Sequence, residues 1–349
     1  MNTKFTSDYI DFASCLTSQI EDITLTTDYT TVAVSLYRTG EADNPIFTTS
    51  LYAVDNTVVI SDVADLIEAD MRSLGISTGS YVLSVAGVTL NIGCIYCDYL
   101  LPSDLDTSEA FLSTLDTAVV HADSIISVTT DEAASGVCYV RYIDQSGMLQ
   151  LYLLTQLSTS GASNTYSASV ASLIAAIPPD VTYRRIVSFT LDFSLRCKTF
   201  YLLDDTDWML FRFRNIFNAV EYLDLSGTVT TKTVVDVDSA VIGGVMFQYD
   251  HLTTRTYEVS TAAMTEAQAR TIDQLFNSRE IDVCDCNGSF HRIIVTDHTC
   301  EISDDDESLA TVKFTWRYAS RRPRLSDDDT AAFRPSPGIF SSPFTLPFD

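Results

Sequence analysis

Trp208-Met209-Leu210-Phe211-Arg212-Phe213-Arg214 ends in alternating apolar and basic side chains. A period of two puts successive side chains on opposite faces of an extended chain, so the segment reads as a half-buried strand. Tyr222-Leu223-Asp224-Leu225-Ser226-Gly227-Thr228-Val229 is the next such segment, and residues 241–249 and 255–260 continue the pattern. The period then changes. In Thr265-Glu266-Ala267-Gln268 the Thr hydroxyl can accept from the amide of residue 268 while the Gln side chain reaches back, the spacing of a capping box. Ala269, Ile272, Leu275 and Phe276 follow on one helical face, and the helix is expected to end near Ser278. Asn287-Gly288, a pair that tolerates positive φ, joins segments 280–286 and 289–296 as a two-residue hairpin. Residues 309–318 close the set, with Val312, Phe314 and Trp316 on one face and Thr311, Lys313, Thr315 and Arg317 on the other. Region 204–320 is therefore expected to be a β domain with one packed helix, residues 265–278.

A chain of 349 residues exceeds one core, and two or three domains of about 100–150 residues are expected. Residues 1–18 read as an N-terminal arm. Residues 19–101 form a β-rich domain whose one helix is capped by Ser61-Asp62, presents Val63, Leu66, Ile67, Met71 and Leu74 on one face, and stops at Gly75. Residues 102–203 form a middle β-rich domain, with short helices at 108–115 and 170–177 and a hairpin turning at residues 144–147. Its last segments, 181–191 and 198–203, run so directly into the next domain that a shared sheet is expected. Residues 321–349, with Pro335, Pro337, Pro343 and Pro347, cannot continue a sheet interior and read as an extended C-terminal arm. The fold class is mainly β and multi-domain, with sandwich- or barrel-like domains and a few short packed helices.

Asp and Glu number 47 against 21 Lys and Arg, a net charge of −26, which disfavours nucleic acid and anionic membrane surfaces as partners. No apolar run approaches the roughly 20 residues that span a bilayer. The first nine residues lack a basic start followed by an apolar core, so no secretory signal is read and folding in a cytoplasm is expected. In that compartment the eight scattered cysteines are expected to be reduced, mostly buried thiols.

Cys94-Ile95-Tyr96-Cys97 has the spacing of half a zinc knuckle, but a second half is missing and the pair lies in an extended apolar segment. Cys284, Cys286, His291, His298 and Cys300 gather five possible ligands in one hairpin and its exit. A single residue between Cys284 and Cys286 is too few for the usual knuckle, so no metal and no cofactor is assigned. The acidic runs 204–207, 304–307 and 327–329 lack the twelve-residue loop of a calcium hand and read as solvated turns. With four histidines, no Gly-x-Ser-x-Gly and no Gly-rich phosphate loop, no catalytic residue is assigned and the chain is expected not to be an enzyme.

The run Cys94-Ile95-Tyr96-Cys97-Asp98-Tyr99-Leu100-Leu101 followed by Glu109-Ala110-Phe111-Leu112 resembles tail-associated proteins of phages and prophages of Bacteroides-like gut bacteria. So does Val137-Cys138-Tyr139-Val140-Arg141-Tyr142-Ile143-Asp144 with its hairpin. The order from Phe213-Arg214-Asn215-Ile216-Phe217-Asn218-Ala219-Val220-Glu221-Tyr222-Leu223 through a Lys/Thr strand, a Thr-Glu helix and a final hairpin is similar too. The resemblance is one of pattern over residues 20–324 and carries no catalytic residues. It implies a virion structural protein of a tail tip, baseplate or tail ring, made in the host cytoplasm, whose partners are further copies of itself in a homo-oligomeric ring and other tail proteins. A carbohydrate-binding or adhesive β-sandwich, using Tyr and Trp on an exposed sheet face, is the alternative. Within the C-terminal arm, Phe333, Phe340, Phe344 and Phe348 are expected to anchor in pockets of a neighbour, while Arg321, Arg322 and Arg324 pair with its acidic turns.

Overall fold

The computed structural model describes residues 3–5, 12–99, 111–113, 116–159, 164–204, 208–285, 287–301 and 309–320. The fold is mainly β, with several sheets and three short α-helices among these residues. Residues 321–349, and with them the expected arm contacts of Arg321, Arg322, Arg324, Phe333, Phe340, Phe344 and Phe348, lie outside the described residues.

The first unit contains strands β1 (Thr3–Phe5), β2 (Phe12–Leu16), β3 (Ile23–Thr27), β4 (Thr31–Arg38), β5 (Phe47–Tyr52) and β6 (Thr57–Ile60), helix α1 (Val63–Leu74), and strands β7 (Thr78–Val85) and β8 (Val88–Ile95). They make two sheets, β1-β3-β6 and β2-β8-β7-β4-β5. Leu25, Val58 and Ile60 of the first meet Val34, Leu36, Leu83 and Ile92 of the second, with Ile67 and Met71 of α1 in the same core. Residues 1–18 are thus not simply an arm: β1 and β2 are sheet members, because Phe5 and Leu16 have apolar cores to enter. Asp62 precedes α1 as expected but takes a left-handed conformation and makes no side-chain cap.

The second unit comprises β9 (Thr117–Val120), β10 (Ile125–Thr129), β11 (Ser135–Asp144), β12 (Leu149–Ser158), β13 (Thr165–Ser169), α2 (Val170–Ala175), β14 (Tyr183–Phe193) and β15 (Arg196–Leu202). A five-stranded sheet, β12-β11-β14-β15-β9, packs against the pair β10-β13 and α2 around Phe189, Leu191, Val140 and Ile126. Residues 111–113 are not helical, contrary to the expected helix at 108–115, whose other residues lie outside the described set.

The third unit is a closed barrel of β16 (Trp208–Arg214), β17 (Val220–Ile242), β18 (Val245–Thr261), β19 (Ile281–Cys284), β20 (Phe290–Glu301) and β21 (Thr311–Tyr318), in the order β16-β17-β18-β21-β20-β19. It does not share a sheet with the second unit, since closure leaves no free edge to extend. Helix α3 (Glu266–Asn277) begins at the expected capping box and adds Ala269, Ile272 and Leu275 to the core of Phe211, Phe213, Phe314 and Trp316. The Asn287-Gly288 turn is longer than two residues: Asp285 and Ser289 close it, and the Asp285 carboxylate accepts from the amides of Asn287 and Ser289. That carboxylate satisfies two of the loop's amides, and Gly288 supplies the left-handed residue at φ +79°.

All three units meet at the turn between β16 and β17. Ile216, Phe217 and Ala219 pack with Leu16, Ile95 and Cys97 of the first unit and with Leu112. The side chain of Asn218, in a left-handed conformation, donates to the carbonyls of Met71 (3.2 Å) and Ile76 (2.9 Å), which capture the open end of α1. Arg214 donates to the carbonyls of Gly75 (3.2 Å) and Asn218 (2.9 Å). Gly75 ends α1 at φ +66°, and a Cβ there would meet the Arg214 guanidinium at 2.6 Å. Toward the second unit, Glu221 accepts from Lys198 (2.9 Å), Ser113 (2.6 Å) and Asn215 (3.0 Å), all buried or half-buried. Burial by itself would raise the Glu221 pKa, but Lys198 and the hydrogen bonds prevail and hold it below its ordinary value of 4.5.

A depressed carboxylate pKa contributes stability that is present above pH 4.5 and lost as pH falls through the folded value. Lys198→Met therefore costs about 3–5 kcal/mol in urea unfolding at pH 7, because Glu221 stays buried without its counter-charge. Without Lys198, burial raises the Glu221 pKa in the variant, so the deficit shrinks as pH falls from neutrality toward 4.5 and on through the depressed value of the parent; a deficit independent of pH would contradict the assignment.

Candidate functional site

Strands β17 and β18 outrun the barrel. β16 pairs with β17 over 220–226 and β21 pairs with β18 over 257–260, but β17 and β18 stay paired with each other as far as Ile242 and Val245. The turn between them is Gly243-Gly244, both at positive φ (+62° and +82°), the two-residue hairpin geometry that a side chain would strain. Beyond Thr231, the result is a two-stranded ribbon with a bulge at Asp238/Ser239, about 11 residues and roughly 35 Å long at about 3.3 Å per residue.

The ribbon's surface is apolar where solvent should make it polar. Val234, Val235, Val237, Val241, Ile242, Val245, Met246 and Phe247 are each 50–70% exposed. Neighbours such as Val234 and Val235, or Val241 and Ile242, point to opposite faces, so neither face is the hydrated one. An isolated two-stranded ribbon is marginal in water, and contiguous exposed apolar surface marks an interaction site. Among the described residues nothing covers it. The β-branched run 228–242, ending in Gly-Gly, carries the signal for such a hairpin in the sequence. Residues 241–249 are therefore not the single extended segment that alternation suggests, because the chain reverses at Gly243-Gly244.

A second feature is a cleft of about 250 Å³ between the first unit and the barrel, lined by Arg72, Tyr96, Asp98, Arg214, Arg279 and Arg292 among others. Register places Arg212, Asp282 and Arg292 in one row across β16, β19 and β20. Arg212 and Arg292 donate to opposite oxygens of Asp282 (2.9 and 2.7 Å), and Arg214 donates to Glu280 (3.1 Å). Arg212 also lies 4.4 Å over the Phe290 ring. Asp282, beside the cleft, and Glu280, in its wall, are thus held by guanidinium groups, and the arginines and amides that line the cleft can hold a polar or anionic group.

His121, Ser124 and Asp224 gather the residue types of a hydrolytic triad in the wrong arrangement. The His121 Nδ1 (2.8 Å) and the Ser124 hydroxyl both bond the same oxygen, Oδ2 of Asp224, rather than each other. His121 stacks on Trp208 at 4.4 Å and is buried with Asp224. Burial keeps the Asp224 pKa above the ordinary carboxylate range despite these hydrogen bonds. The set ties the second unit to β17 and presents no reactive oxygen to solvent.

Among the described residues no group of three or more His, Cys, Asp or Glu side chains could hold a metal ion. His291 bonds Asp285 at 2.8 Å, His298 lies against the Phe276 ring, Cys284 is buried, and the side chains of Cys286 and Cys300 lie outside the described set. Cys94 and Cys97 point to separate carbonyls, Gly79 and Tyr99. Burial raises the thiol pKa of Cys15 to about 11 and of Cys138 to about 12. Of the acidic runs, Asp204 alone is described, paired loosely with Arg185 at 3.6 Å. Trp208 and Trp316 are buried, so neither provides an exposed stacking platform. No described helix is long and apolar enough to cross a membrane.

No protein-family model matches the chain, and no curated protein matches it significantly.

Replacing residues 234–254 with Asn-Gly should remove the ribbon and leave the barrel intact. Calorimetry should show Tm within about 2–4 °C of the parent, the shift corresponding to about 1 kcal/mol in a domain of this size. A collapse in Tm would mean that the ribbon belongs to the fold rather than to an interface. In the native protein at pH 8, iodoacetamide should modify exposed Cys197 while Cys94 and Cys138 resist until unfolding. Prompt labelling of either buried thiol would contradict the placement.

Proposed function

We propose that this chain is a non-enzymatic structural subunit that works by assembling with copies of itself. The observation that carries the reading is the ribbon of β17 and β18, whose eight exposed apolar side chains favour a partner over water. The joined units support it as well: a subunit that transmits load needs its domains fixed to one another, and the turn at 215–219 does this with buried hydrogen bonds and apolar contacts. With the resemblance described above, the finer reading is a component of a phage virion tail, at the tip, the baseplate or a ring, with other tail proteins as further partners and no direct contact with nucleic acid or membrane. The C-terminal arm, through Phe333, Phe340, Phe344 and Phe348, serves as a second contact in this reading.

A carbohydrate-binding or adhesive module is the second reading, favoured by the arginine- and amide-lined cleft between the first unit and the barrel. In it, planar polar side chains would bond sugar hydroxyls or a sugar acid.

Sedimentation and native mass measurement at rising concentration separate the two. The structural reading expects a discrete oligomer, with a closed ring as the simplest product of repeated head-to-tail contacts. A protein that stays monomeric at high concentration while binding or turning over a sugar polymer would defeat it.

A further inference from the structure

The ribbon needs a surface of matching length, an open backbone edge and an apolar stripe. β12 offers all three. It is the terminal strand of the five-stranded sheet and, among the described residues, pairs only with β11, which leaves its outer edge open there. Leu149, Leu151 and Leu153 recur with a period of two and therefore share one face; each is more than half exposed, as is Met148 in the adjoining turn. β5, a terminal strand of the first unit's sheet, has Thr48, Thr49 and Ser50 at its centre and lacks this stripe. β12 has ten residues, close to the free length of the ribbon.

Charge selects the same pairing. On the ribbon, Val234, Asp236, Asp238, Ala240 and Ile242 alternate onto one face of β17, an apolar row interrupted by two exposed carboxylates. On the sheet, register places Arg141 opposite Leu151, and Ile143 opposite both Leu149 and Arg185, so Arg141 stands beside the leucines on their own face and Arg185 one strand further in, on β14. Ribbon against ribbon would bring Asp236 and Asp238 of two copies together, whereas ribbon against β12 sets them across the leucine row from Arg141 on β11.

We infer that the β17 strand of the ribbon adds to the β12 edge of a second copy of this chain, extending that copy's five-stranded sheet by the two strands of the ribbon. The inference rests on the self-assembly reading above and specifies its contact. Because ribbon and edge are different surfaces of one chain, the contact is heterologous: each copy gives a ribbon and receives one, and the series closes into a ring or continues as a filament. Backbone hydrogen bonds supply affinity, and the leucine stripe with Arg141 beside it fixes register.

Two variants test it, each changing exposed side chains only: a ribbon variant, Val234→Lys with Ile242→Lys, and an edge variant, Leu151→Lys with Leu153→Lys. Circular dichroism and Tm establish that both stay folded. Each alone is expected to lose assembly, with an apparent Kd at least about 100-fold weaker, the effect of removing two buried aliphatic contacts. An equal mixture is expected to form a two-chain species and stop there, because the edge variant still has a ribbon and the ribbon variant still has an edge. An edge variant that assembles like the parent overturns the inference while leaving self-assembly standing. So does a mixture that remains monomeric. A parent chain that is itself monomeric at high concentration removes the self-assembly reading together with this contact.

Discussion

A turn that is buried must find partners for its own polar groups, and this fold hangs on one that does. In the β16–β17 turn, Asn215 turns its side-chain oxygen inward to accept from the amides of Phe217 and Ala219, and its nitrogen outward to Leu112 and Glu221. Asn218, with a left-handed backbone, brings its amide group to the carbonyls of Met71 in the last turn of α1 and Ile76 just beyond it. Two asparagines thereby let a loop sit where three cores meet, a position that loops ordinarily avoid because their backbone groups go unsatisfied. The apolar pair between them, Ile216 and Phe217, then packs against the first unit.

The ion pair next to it follows from the same constraint. Lys198 and Glu221 are almost fully enclosed, and a charge so placed is tolerable only with a partner and further hydrogen bonds, which Ser113 and Asn215 supply. A hydrophobic pair could equal it in stability but would slide more easily. The geometric demands of the four-residue network fix how β15 meets β17, hence the orientation of the sheet that carries β12 relative to the barrel that carries the ribbon. If ribbon and edge belong to one head-to-tail contact, the angle between successive copies is set at this joint.

The contrast between the two ends of β17 is instructive. At its start, the side chains of Glu221, Asp224 and Leu225 are enclosed between the second unit and the barrel's own core. Some fifteen residues later the same strand carries valines into solvent. Where β17 leaves the closed barrel it keeps only its hairpin partner β18, and the apolar side chains retained there are costly to hydrate in the monomer.

Much of this was legible in the chain itself. The capping box at Thr265 and Gln268, the stripe through Ala269, Ile272 and Leu275, and the alternation of Val312, Phe314 and Trp316 each arise from interactions within a few residues, so sequence alone determined α3, β21 and the mainly β class. Gly75 marked the end of α1 for the same reason. Asp285 and Asp144 closed loops by local side-chain bonds, and there the Asn-Gly signal gave way to the carboxylate. The tertiary structure decided what depends on partners distant in sequence. Asn215 and Asn218 read as ordinary turn residues until Met71, Ile76 and Leu112 arrive to receive them, and Lys198 lies 23 positions from the carboxylate it neutralises. The ribbon is the sharpest case. Its β-branched run looks like any buried strand, because periodicity reports which side chains share a face and not whether anything lies against that face. Only barrel closure, which ends lateral pairing at Ser226 on β17 and at Tyr257 on β18 and leaves residues 232–256 beyond it, shows that these valines face water in a single chain.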